Sequence, residues 1–230
     1  MTVRTENRPL PAEVAPRWWR RPWVAPLALV VAVFLAYSVP PYLTLDPARS
    51  RVPAPPGFPA HYWFLVAHIT FGTIAIVGVI LQIWPWLRRK HPVVHRRVGR
   101  VYVFAGAIPA AVMAATIGAV SPFGPVVGTL DVVAALLWLG FTIAGWRAIR
   151  QRRYAEHRKW MIRSFAMTMS TLTSRALSPI AFLLVMPRVE DKSELILSAG
   201  TLSAVLSILS LLLLSQWWLD RKPKRPATAR

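Results

Sequence analysis

The sequence predicts an all-α integral membrane protein, a six-transmembrane-helix bundle with both termini cytoplasmic. Three observations predict it. Hydrophobic residues make up 55% of the 230. Uncharged runs at 22–45, 101–130 and 195–219 each exceed the roughly 20 residues needed to cross a bilayer core. The cations alternate: of 28 Lys and Arg, 23 fall in four segments separated by pairs of apolar spans. That is the positive-inside pattern, which places those segments, and both termini, in the cytoplasm, with the spans in the plasma membrane. The formal charge of +19 is then explained by topology, and nucleic acid is not needed as a partner. The bilayer and its anionic lipids are.

Residues 1–21 read as a polar cytoplasmic tail, 22–219 as the transmembrane domain with its core at 60–187, and 220–230 as a basic cytoplasmic tail. Trp18, Trp19 and Trp23 suit headgroup depth, where amphipathic rings gather. The first span is expected over 22–43, too long an apolar core for a cleaved signal peptide. Pro40 and Pro41 end it, and the proline-rich stretch 46–59 is an outer loop. The second span covers 60–87, with Tyr62 and Trp63 at one interface and Trp84 and Trp86 at the other. His68, Gly72, Ala75, Val79 and Gln82 share one of its faces by helical spacing. This face holds the small and hydrogen-bonding side chains and is expected to point inward.

The third span is expected over 101–120, rich in Gly and Ala that permit close helix approach, with a kink at Pro109. A short outer turn at 121–125 leads to the fourth span, 128–149, with Asp131 in its first turn beside the helix dipole. The fifth runs from 160 to just before Pro187. In it His157, Met161, Ser164, Thr168, Thr171 and Arg175 are spaced four, three, four, three and four apart, one stripe down a helix. The sixth, 195–219, carries Ser203, Ser207 and Ser210 as packing surface.

His68, Gln82, His95, Gly99, Arg100, Tyr102, His157, Trp160, Met161, Arg163 and Arg175, set in this loop pattern, resemble a bacterial membrane family, domain of unknown function 2306. The resemblance runs over about 60–175. It implies a shared architecture and carries no activity.

Two clusters are the candidate sites. At the cytoplasmic boundary, His95 with Arg100 and His157 with Arg163 open the third and fifth spans in the same way. Together they are expected to grip the anionic group of a small molecule or lipid headgroup. Within the membrane, Arg175 costs about 2.5–3.5 kcal/mol unless it faces protein or water. It is therefore expected to form a polar cluster with Asp131 and His68.

Two further readings compete. The arrangement is similar to the cytochromes b561, whose six spans hold haem between paired histidines of alternate helices. That similarity implies a b-type haem with His95 and His157 as iron ligands and electron transfer as the activity, although the fourth span holds no second-haem histidine. The plainer alternative is a structural or accessory protein whose basic residues anchor helix ends to anionic lipid, at about 1 kcal/mol per cation. No enzyme motif occurs, and the absence of cysteine removes thiolate chemistry and disulfides.

Overall fold

Helix is the only regular structure over residues 23–221, which the computed structural model describes. Trp18, Trp19 and nearly all of both tails fall outside these residues. In chain order the helices are α1 Val24–Ser38, α2 Pro40–Leu43, α3 His61–Ile83, α4 Pro85–Lys90 and α5 Pro92–Val101. After α5 a π-helical segment, Tyr102–Ala107, leads without a break into α6 Ile108–Ala119. α7 Pro125–Arg150, α8 Tyr154–Val185 and α9 Lys192–Asp220 complete the chain.

Among the described residues five helical stretches are long and apolar enough to span a bilayer: α3, α5 through α6, α7, α8 and α9. The first expected span is instead two helices, because the paired prolines that begin α2 follow directly on α1. Proline offers no N–H for the ladder, so the 15 residues of α1 cannot run on unbroken.

Proline also corrects three other boundaries. α3 stops at Ile83, four residues short of the expected end, since Trp84 is extended ahead of Pro85. α5 begins at Pro92, so His95 and Arg100 lie inside a helix and not in a loop before one. α7 begins at Pro125, which moves Asp131 into the second turn, away from the strongest part of the helix dipole. Pro109, expected to kink the third span, sits in the first turn of α6 directly after the π segment. The wider π turn is a standard way to absorb a disrupted ladder.

α3, the α5–α6 helix, α7 and α8 form the core, with α3 packed on α6, α6 on α7 and α7 on α8. α1 covers α3, and α9 lies along α8. Small residues bring the backbones close: Ala75, Ala107 and Ala110 are fully buried, and a Cβ on Gly106 would stand 3.0 Å from the Ala75 backbone. α9 is tied to α8 by the hydroxyl of Ser207, which donates to the Ser170 carbonyl at 2.6 Å. Ser203 and Ser207 are packing surface, as expected. At the start of α9, Asp191 accepts from the Glu194 N–H and the Ser193 hydroxyl, and these bonds hold its carboxyl below the ordinary range.

α8 is buried unevenly. Met161, Ser164, Ala166, Met167 and Thr168 are buried near its start, and only Ala181 near its end. The end of the bundle holding the α4–α5 and α7–α8 connections is the basic end. The opposite end carries the proline-rich loop and the 121–125 turn.

Candidate functional site at the basic end

Two turns into the bundle from the basic end, Tyr102 is wholly buried in the π segment. Gly78 of α3 makes room for it, since a Cβ there would be 3.2 Å from the tyrosine Cβ. The phenol oxygen lies 2.7 Å from Ser164 Oγ and 3.0 Å from Thr168 Oγ1, both on α8. Ser164 Oγ is in turn 2.7 Å from Thr142 Oγ1 of α7. Thr142 reaches the Trp138 carbonyl at 2.8 Å, and Thr168 reaches the Ser164 carbonyl at 3.0 Å.

These are five contacts made by four hydroxyls, three between hydroxyls and two to carbonyls, and each hydroxyl has a single proton to donate. Four bonds form at a time. In one order, Thr168 donates to Tyr102, Tyr102 to Ser164, Ser164 to Thr142, and Thr142 to the Trp138 carbonyl. In the reverse order every proton turns round and the chain ends on the Ser164 carbonyl. Both ends are backbone acceptors, so the chain joins three helices but leads no proton out of the bundle. The indole Nε1 of Trp138 is buried beside this chain and makes no bond within 3.5 Å.

One layer closer to the basic end stand the two histidines. His157 Nδ1 is 2.8 Å from the Gly145 carbonyl. A carbonyl only accepts, so Nδ1 carries a proton and the ring is fixed with Nε2 free of that bond. His95 is held from its backbone, as Gln82 of α3 donates to its carbonyl at 2.8 Å and Gly99 leaves room for the amide. Its ring is half-buried, and Nδ1 is closed off from solvent without a partner among the described residues. The charged groups near enough to act on this ring are Arg88, His157 and Arg96. His95 on α5 and His157 on α8 both lie at this end of the bundle.

Their expected companions do not join them. Arg163 turns to α9, where it donates to Gln216 at 2.8 Å and lies over the Trp160 ring. Arg100 is exposed and has no ion pair or hydrogen bond among the described residues. Helical direction explains both: on α5 and α8 these arginines project from faces other than those of His95 and His157. Glu156, beside His157 in sequence, is ion-paired to Lys159 at 2.9 Å.

The expected cluster of His68, Asp131 and Arg175 is also not assembled. His68 Nδ1 donates to the Ala110 carbonyl of α6 at 2.9 Å. Asp131 packs its Cβ beside Gly118 of α6, and Arg175 is exposed on α8 with no ion pair among the described residues. α6 lies between α3 and α7 at this end, so His68 meets a carbonyl before it meets either charge.

Nothing among the described residues supports a haem between His95 and His157; two turns further in, Tyr102 touches Ser164 and Phe165 packs edge-on against its ring at 5.1 Å. Closer to the histidines, Met161 fills the approach to Gly145. Among the described residues there is also no cluster of three or more metal-ligating side chains.

A family model described as "Predicted membrane protein (DUF2306)" matches residues 65–215. The match reaches beyond the 60–175 region that carried the resemblance and takes in most of α9. No curated protein and no solved structure matches.

Proposed function

For a chain that belongs to the DUF2306 family of predicted membrane proteins, whose description assigns no activity, we propose binding of a single anionic group, a phosphate or carboxylate, at the basic end. The observation that supports this is the buried Nδ1 of His95, without a partner among the described residues, on a ring within electrostatic reach of Arg88, His157 and Arg96. An unpaired buried polar group costs about 1–3 kcal/mol, which an anion accepting its proton recovers. Bonds to an ionised acceptor are roughly twice as strong as neutral ones, and Arg88 and Arg96 add charge from the rim. The fixed ring of His157 presents Nε2 as the second donor when protonated.

The same reading includes a topology. α1 and α2 together form the first of six spans, both termini face the cytoplasm, and the basic end lies against the inner leaflet of a bacterial plasma membrane. The supply of anionic headgroups there makes a lipid phosphate the natural occupant.

The test is a thermal melt of the purified protein in uncharged detergent, titrated with inorganic phosphate and with a short-chain phosphatidic acid. Both should raise the melting temperature with the logarithm of concentration above the dissociation constant, reaching about 2.7 kcal/mol of stability at a hundred times that constant. His95→Gln and His157→Gln should lose that gain, while Arg163→Gln keeps it. An equal gain in the histidine variants would refute the site.

A further inference from the structure

The break between α1 and α2 shapes a second candidate site, at the proline-rich end. Pro40 and Pro41 stop α1, and the loop after α2 returns to it, bringing Arg51 onto Tyr37. Between them lies an open cleft of about 600 Å³, lined by Ala36, Tyr37, Pro40, Pro41, Arg49 and Arg51. The helices supply an apolar wall, and the loop supplies a cationic one.

The cationic wall is held in place. Asp46 accepts from the Ala48 N–H at 3.0 Å and starts the helical turn Pro47–Arg49. The Arg51 N–H donates to the Tyr42 hydroxyl at 3.4 Å, and Tyr42 stacks on Tyr62 of α3 with ring centroids 6.5 Å apart. The Arg51 guanidinium lies 4.1 Å from the centroid of the Tyr37 ring. This contact covers one face of the guanidinium. The N–H groups on its edge remain to donate, for the side chain has no ion pair or hydrogen bond among the described residues.

Charge balance and shape decide what fits. The connections at this end hold few cations, Arg49, Arg51 and Arg188, yet two of them share the cleft. Asp46 lies 3.7 Å from Arg49 and offsets it. Arg51 is not offset, so the cleft carries one net positive charge. Leading away from it, Val30, Val33 and Tyr37 share one face of α1 by helical spacing, and all three are exposed. That strip is one helix wide, which suits one acyl chain rather than two.

We propose that this cleft binds a single-chain amphiphile with a carboxylate head, a long-chain fatty acid. The carboxylate accepts from the edge of the Arg51 guanidinium in two-point contact, and the chain follows Val33 and Val30 along α1. Tyr37 positions the arginine, and Pro40 and Pro41 close the apolar side of the head. The site is separate from the anion site at the basic end and does not rest on it.

The test is photolabelling of the wild-type protein in phosphatidylcholine nanodiscs with a palmitate that carries a mid-chain diazirine, followed by mapping of the labelled peptides. Labelling of α1 should saturate and should be competed away by excess unlabelled palmitate. The alcohol of the same chain should label α1 no more than it labels the other lipid-facing helices. Arg51→Gln should cut the saturable labelling about tenfold, as the loss of a charged hydrogen-bonded pair implies, and Arg51→Lys should keep part of it. Arg188→Gln, which removes a cation from the same end outside the cleft, should change nothing. Tyr37→Phe should match the wild type, and Tyr37→Leu should label less. Melting temperatures check that each variant is folded. Labelling that does not saturate, equal labelling by the alcohol, unchanged labelling of a folded Arg51→Gln protein, or competition by phosphatidic acid as strong as by palmitate would each overturn the proposal.

Discussion

Tyr102 shows how much rests on single atoms in this bundle. Its hydroxyl is the middle of the chain that joins the π segment to α7 and α8. Tyr102→Phe removes one oxygen and costs Ser164 and Thr168 their bonds to it, and interhelical hydrogen bonds in membranes are worth about 0.6–1.7 kcal/mol each. The variant should unfold at lower denaturant, and a double-mutant cycle with Ser164→Ala should show coupling, because the two residues lose a shared bond. Additive losses would mean that the hydroxyls act independently. The stripe containing His157, Ser164 and Thr168 was legible from spacing alone. Thr142 and Trp138 were not legible, because one hydroxyl and one indole in an apolar run look the same whether they face lipid or core. The partners of Arg100 and Arg163 were misjudged for a related reason: nearness in sequence to a histidine does not give nearness in space when helical direction intervenes.

Among the elements, the glycines separate close approach from open space. Gly106→Ala sets a Cβ 3.0 Å from the Ala75 backbone, which cannot swing aside, so an overpacking cost of about 1–3 kcal/mol is expected. Gly72→Ala meets no neighbour and should be neutral or stabilising by up to about 1 kcal/mol. Thermal melts of the two variants in one detergent compare them directly, and an equal loss in both would contradict the packing of α3 on the π segment. Helix identity was readable from the apolar runs, whereas helix ends were readable only where proline was weighed. Pro85, Pro92 and Pro125 each start a helix, because the missing N–H costs nothing in a first turn. The cluster was expected because an arginine side chain extending outward from Arg175 could reach both His68 and a shallower Asp131, but neither charge has an ion pair among the described residues.

For the whole molecule, the distribution of cations predicted a multi-pass helical protein, and the described helices agree as far as five spans. The six-span arrangement is tested by cysteine labelling of intact cells with an impermeant reagent. Ser50→Cys and Ser121→Cys should react from outside, and Ala227→Cys should not. The reverse pattern would invert the protein and put the histidines at the outer face. The central claim is that the basic end holds one anionic group between His95 and His157. Native mass spectrometry of the protein released from nanodiscs of mixed phosphatidylcholine and phosphatidic acid tests it most directly. The wild type should retain one phosphatidic acid per chain, and the His95→Gln/His157→Gln variant should retain none beyond the scatter seen for phosphatidylcholine. Equal retention of phosphatidic acid by the two proteins would contradict the claim.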